Sequence, residues 1–278
     1  TESMSLVPMG GHAPSINPAI FEKNESVALA YGMGITAEKV ASRYRVSRAD
    51  QDAYALESHR RAIAAIDAGE FDAELAPYTI TEHVPEIDSN TVRIASRIAA
   101  RDEGPRTDTN LDALARLQPA FAAAGSVTAG NSSQMSDGAA AVVLMSERAL
   151  QRYQAPPLAR FASYAVAGVP PELMGIGPTK AIPVALERAG IARDDLDWIE
   201  LNEAFAAQTL AVMRELELDP LRVNPLGGAI ALGHPLGATG AIRVATLAHG
   251  LRRRRGKYGM VTMCIGSGMG AAAVLEAL

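Results

Sequence analysis

Three stretches set reactive side chains among glycines. VTMCIGSGMG, residues 261–270, holds Cys264, the only cysteine in 278 residues. A free cysteine is most often buried and inert. This one ends an apolar run that reads as a buried strand, and a loop of small residues follows, where bare backbone N–H groups can serve a reactive sulfur. NPLGGAIALGHPLGATG, residues 224–240, brackets His234 with glycines just ahead of a helix. Glycines permit close backbone approach, and a helix N-terminus favours developing negative charge. WIELNEAFA, residues 198–206, runs from a strand into Asn202 and Glu203 and then a helix. That is where α/β sheets place ligands, although an asparagine there can equally be a helix cap. The other histidines, His12, His59, His83 and His249, lack such surroundings and read as surface residues.

The elements that must position these groups follow from patterning. Residues 5–30 are rich in Gly, Pro, Ser and Asn and read as loop. Helical texture begins near Thr36, and a long helix starts at the N-cap Ser47 and closes at Gly69. Strand-like pieces stand at 78–80 and 92–94, and a helix over 111–117 is stopped by Pro119. The run GAAAVVLM, 138–145, reads as a buried strand. From Pro157 onward, strands at 158–166, 198–201, 261–263 and 271–275 alternate with helices at 178–189, 203–216 and 238–254, the signature of an α/β fold with helices covering a sheet. DGAAAV at 137–142 is echoed by MGAAAV at 269–274, which reads as two similar closing strands, the first half lacking its opening strands.

Composition sets bounds. Hydrophobic residues make up 48% and charged ones 21%, as in a soluble globular domain. A net charge of −5 gives no reason to expect nucleic acid. The basic run Arg252–Arg255 reads as cations at a helix C-terminus. One cysteine excludes an internal disulfide, and no stretch is apolar enough to span a membrane.

NEAFA, GHPLGATG and CIGSGMG, in this order, closely resemble the thiolase family. The resemblance implies a five-layered αβαβα fold, with 1–4 and 126–150 from the N-terminal half, 5–125 as a covering loop domain and 155–278 as the C-terminal half. It implies an acyltransferase that cleaves 3-ketoacyl-CoA with CoA, or runs the reverse Claisen condensation, through an acyl group carried on a cysteine. Coenzyme A would be substrate, with no permanently bound cofactor and no metal. Cys264 then looks like the acid/base thiol, His234 the group that activates the nucleophile and donates to the thioester oxygen, and Asn202 the holder of a water. The backbone N–H of Gly266 matches part of an oxyanion hole. Ala129 and Ser133, within VTAGNSS at 127–133, match contacts to pantetheine. Phe205, Met174 and Phe121 match pocket-lining positions, and Arg106 matches the adenosine end.

Two departures refine this. Gly32 stands where short-chain biosynthetic thiolases carry histidine, which favours the degradative 3-ketoacyl-CoA type over an acetoacetyl-CoA-forming acetyltransferase. The family's nucleophilic cysteine falls roughly 25 residues ahead of Thr1, so the chain is expected to lack about the first 115 residues. By itself it would then not turn over, and a non-catalytic CoA-binding role becomes an alternative. The resemblance further implies a homodimer or homotetramer, a cytoplasmic setting, and no nucleic-acid or membrane partner.

Overall fold

The structure, a computed structural model, describes residues 1–24 and 26–278. Strand β1 (Glu2–Ser3) opens the chain, and short 3-10 turns punctuate the loop that follows. Helices α1 (Met33–Arg43) and α2 (Arg48–Asp67) come next. Ser47 caps α2 as its sequence predicts: its hydroxyl accepts from Asp50 N–H, and the Asp50 carboxylate accepts from Ser47 N–H. Gly69 closes the helix at φ +69°.

The pieces near 80 and 93 are one long hairpin, β2 (Tyr78–Glu86) and β3 (Thr91–Ala99), paired antiparallel from Tyr78↔Ala99 to Glu86↔Thr91. Helix α3 (Leu111–Ala115) follows, capped by Asn110. Strand β4 (Asp137–Gly138) pairs with β1, and α4 (Glu147–Tyr153) leads out of this half. The buried strand expected over 138–145 does not form. Only its first residue pairs with a strand, and Val142, Val143, Leu144 and Met145 are 41–82% exposed. An apolar run becomes a strand only where a neighbour accepts its backbone groups, and beyond Gly138 none lies alongside. The first copy of the echo thus forms a strand only at Asp137 and Gly138, whereas the second does so throughout.

The second half is built on β5 (Ala159–Gly168), α5 (Pro178–Ala189), β6 (Leu196–Leu201), α6 (Ala206–Glu215), α7 (Ala229–Leu232), α8 (Leu236–Arg254), β7 (Tyr258–Ile265) and β8 (Met269–Ala277). The sheet order is β5-β8-β7-β6, with only the β6–β7 pair parallel. Alternation along β6 divides two cores. Ile199 and Leu201 face α5, where Ala181, Ile182, Ala185 and Leu186 meet Met260 and Val274. Trp198 faces α8, against Leu247 and Leu251. Helices on both faces make this half a three-layer α/β/α unit. Alanines fill β8 because α5 enters close to it: a Cβ on Gly177 would overlap the backbone of Gly270.

Arg252–Arg254 end α8 as read from sequence; Arg253 pairs with Glu70 at 2.7 Å, and Arg254 lies over the Trp198 ring. Among the described residues, no helix is long and apolar enough to cross a membrane.

Candidate active site

The parallel pair β6–β7 sends its C-terminal ends to the same edge of the sheet, and the reactive residues follow from them. Asn202 leaves β6 with its N–H donating to Thr262 O at 2.9 Å, which fixes it beside the strand that carries Cys264. Its side chain does not cap α6, because that helix begins at Ala206 with Phe205 in the cap position. Instead, Nδ2 of Asn202 lies 3.2 Å from Nε2 of His234. Asn202 is 1% exposed, and its Oδ1 has no partner among the described residues. A buried acceptor left open costs about 1–3 kcal/mol unless something fills it.

His234 lies between α7 and α8. Gly233 precedes it at φ +90°, and a Cβ there would overlap the Ser136 hydroxyl. The His234 N–H donates to Gln134 O and to Ser136 Oγ, both at 3.3 Å. On the other side of the ring, Nδ1 stands 2.7 Å from Thr239 Oγ1. Burial, reinforced by the Arg243 guanidinium, lowers the pKa of His234 to about 4. Cys264, half-buried near the end of β7, is pushed up to about 11 by burial. Near neutral pH the site therefore holds an uncharged imidazole and a protonated thiol. Gly266 lies in the exposed turn after β7, with open space where a side chain would stand.

Segment 127–133 lies against the end of the Asn202 loop. Ser133 N–H donates to Ala204 O at 3.0 Å, and Ser132 bridges Phe205. The covering helices hold this segment from behind. Glu38 of α1 accepts from Ser126 and Val127 N–H, and Asp52 of α2 accepts from Asn131 Nδ2 at 2.9 Å. Phe121 meets Phe205 edge to face at 6.0 Å between ring centroids. It also covers Gly34, where any Cβ would overlap its ring. Met174 is buried in the turn ahead of α5.

A cleft of about 700 Å³ opens beside this segment, lined by Ala129, Gly130, Gln134 and Ile230 on one side and by the 103–109 loop with Arg106 on the other. Its size suits a cofactor-sized ligand. Arg106 pairs with Asp108 at 3.1 Å and is exposed. His59 corrects the sequence reading: it is buried rather than on the surface, lines the cleft, and its Nδ1 accepts from Arg106 N–H at 3.1 Å. It sits on the inner face of α2, whose low apolar content hid which side was covered.

Glu203 is a further residue whose weight the sequence concealed. Fully buried, it accepts from Tyr54 Oη at 2.9 Å, Ser58 Oγ at 2.7 Å, Asn224 Nδ2 at 3.0 Å and Ile230 N–H at 3.1 Å. These four bonds tie α2, the Asn224 loop and the start of α7 to the residue next to Asn202. Thr239 carries no signal of its own in the sequence, because threonine is common on any helix. Among the described residues, no group of three acidic, histidine or cysteine side chains could hold a metal.

Residues 1–148 match the family model of the thiolase N-terminal domain, and residues 155–277 that of the C-terminal domain. The chain belongs to the thiolase family, and its α/β architecture is the thiolase fold. It is 51% identical over 276 residues to the 3-ketoacyl-CoA thiolase of Bacillus subtilis (strain 168), covering 99% of this chain and 70% of that one. Human mitochondrial 3-ketoacyl-CoA thiolase in complex with CoA superposes with a TM-score of 0.79 at 42% identity, over 88% of this chain and 59% of that one. The dimeric peroxisomal thiolase of Saccharomyces cerevisiae gives 0.85 at 41% identity, over 100% and 67%. The chain thus spans about three-fifths to seven-tenths of the length of these relatives. Because the N-terminal match begins at residue 1, it lends no support to the expectation of a missing 115-residue opening.

Proposed function

We propose that this chain carries the CoA cleft and the proton-transfer groups of a degradative 3-ketoacyl-CoA thiolase. The observation that carries the proposal is the contact between Asn202 and His234, joined through the Gln134 carbonyl to a cleft lined by Ala129 and Arg106. In the proposed cycle, a thiolate adds to the 3-keto carbonyl and the bond between C2 and C3 breaks. The electron pair goes to the enolate of acetyl-CoA, and the Cys264 thiol gives that carbon a proton. Incoming CoA then yields its proton to the Cys264 thiolate and displaces the acyl group from the attacking sulfur. A protonated thiol and a neutral imidazole are the states these steps require.

Once Nε2 of His234 has taken the proton of the attacking thiol, it and the water held by Asn202 donate to the charged thioester oxygen, and Gly266 N–H serves a second oxyanion. Loss of one such donor commonly costs a hundredfold or more, about 3 kcal/mol. Ser133 and Ala129 contact pantetheine, Arg106 the adenosine end, and Phe205, Met174 and Phe121 the acyl pocket, within the covering domain 5–125 and the C-terminal half 155–278. The B. subtilis relative, a 3-ketoacyl-CoA thiolase, favours the degradative reading over the biosynthetic one. The dimeric yeast thiolase supports a homodimer. Cys264 must stay a free thiol, a state the reducing cytoplasm maintains.

Separate attacking and proton-transferring thiols require two cysteines, and these residues hold one. That count supports CoA binding without turnover by the chain alone. Calorimetric titration with CoA, followed by thiolysis assays on acetoacetyl-CoA and 3-ketooctanoyl-CoA, tests the reading on a sample whose intact mass is 29.2 kDa. Saturable binding that Arg106→Ala weakens supports the cleft assignment, and absence of binding overturns it. Turnover at that mass would move the attacking role to Cys264 itself.

A further inference from the structure

We infer that Thr239 is a positioning residue that fixes His234 as the Nδ1–H tautomer, leaving Nε2 as the basic nitrogen aimed into the site. Thr239 stands in the first turn of α8, 1% exposed, and its hydroxyl makes two short contacts. One is to Pro235 O at 2.9 Å, four residues back along the helix; the other is to His234 Nδ1 at 2.7 Å. A threonine hydroxyl has one hydrogen to give and lone pairs to receive with. Directed at Pro235 O, that hydrogen leaves a lone pair for His234 Nδ1–H, and every short contact then carries one hydrogen.

The opposite tautomer fails at two places. With the Thr239 hydrogen turned to Nδ1, its oxygen would face the Pro235 oxygen at 2.9 Å with no hydrogen between them, that carbonyl already accepting from Ala238 and Thr239 N–H at 2.8 Å. At the far side of the ring, Nε2–H would meet the Asn202 amide N–H at 3.2 Å. Turning the Asn202 amide over repairs the second conflict and not the first. The carbonyl–hydroxyl–imidazole chain therefore has one direction, running from His234 through Thr239 to Pro235. It does for this imidazole what a carboxylate does in other histidine sites, setting tautomer and orientation without adding charge. Pro235 joins in through its carbonyl alone, and its ring restricts the backbone between His234 and α8.

The catalytic meaning rests on the thiol chemistry proposed above: a base that takes a thiol proton must present an unprotonated Nε2. The tautomer itself does not rest on that chemistry, so the test reads it directly. The full chain is labelled with ¹⁵N in its histidine rings, and two-bond ¹H–¹⁵N correlations are recorded at pH 7.5. The His234 signals are identified by their loss in His234→Gln. Wild type should show protonated Nδ1 and bare Nε2. Thr239→Val, equal in shape and without the hydroxyl, should shift His234 toward Nε2–H, the form free imidazole favours. Thr239→Ser should restore the wild-type pattern.

An Nε2–H pattern in wild type overturns the inference whether or not any variant folds. So does an unchanged Nδ1–H pattern in folded Thr239→Val. A chain that binds no CoA yet shows the Thr239-dependent tautomer supports this inference and defeats the functional proposal alone.

Discussion

The Tyr54 hydroxyl on α2 donates to Glu203 at 2.9 Å across 149 residues of sequence, binding that helix to the loop that carries Asn202. Ser58, one turn further along the same helix, donates to the other carboxylate oxygen and accepts from Gly228 N–H at 3.1 Å. One carboxylate thereby sets the distance between α2 and the loop that carries Asn202.

Replacing Glu203 with alanine leaves four donors without an acceptor in a dry interior. The expected cost is about 3–5 kcal/mol, measured by urea or thermal unfolding, while Tyr54→Phe costs about 1 kcal/mol. A loss within 1 kcal/mol for Glu203→Ala would show that water reaches these groups and that the clamp is not what holds α2.

Cys264 should be slow to alkylate at physiological pH. With its thiol pushed up to about 11, against about 9 for an unperturbed group, the thiolate is scarce until strongly alkaline pH. At pH 7.5 that difference leaves about a hundredfold less thiolate than in the unfolded chain. Because the chain has one cysteine, intact-mass spectrometry after iodoacetamide reads this site alone. Rates equal to those of the unfolded chain would contradict the assigned environment.

Glu74 predicts a pH-dependent gain in stability. It follows α2, with one oxygen accepting from Thr246 on α8 at 3.1 Å and the other buried without a partner. Burial, aided by the negative charge of Glu200, raises its pKa to about 7 against the pull of that hydrogen bond and of Arg253 and Arg243. The sign follows from proton counting. Between about pH 4.5 and 7 the folded chain keeps a proton that the unfolded chain releases, so stability falls as pH rises through that window. Glu74→Gln removes the penalty and should add about 1–3 kcal/mol at pH 8, allowing for partial solvent access, with little change at pH 4. Equal unfolding midpoints for the two proteins at pH 8 would refute it.

Much of this arrangement was legible in the sequence where local chemistry decides. Ser47 and Gly69 mark helix ends because caps and positive φ select residue types within a few positions. The β6 and β7 strands and α5 stood out through apolar periodicity and length. The site triplets were legible because a histidine among glycines and a cysteine at a strand mouth are unusual combinations. What stayed hidden depends on partners distant in sequence. The run 138–145 is apolar enough for a buried strand, but burial requires a neighbour that its own letters cannot specify. His59 and Glu203 are of types common on surfaces, and only the packing of α2 against the 203–230 region reveals them as interior. Thr239 needed the ring of His234 beside it.

The Glu203 clamp has a consequence for the order of synthesis. Ser58 and Glu203 are separated by 145 residues. At ribosomal speeds of about 5–20 residues per second, Ser58 emerges roughly 7–30 s ahead of the carboxylate that will receive it. Through that interval Tyr54 and Ser58 lack the carboxylate that will receive them, and α2 is held by its cap, its helical bonds and nearer partners such as Arg106 and Asn131. The bonds from Tyr54 and Ser58 therefore close late, only once Glu203 has been made. Contacts of such long sequence separation slow folding. Slow positions in the message between residues 70 and 200 would prolong exposure of this face to chaperones and to other nascent chains.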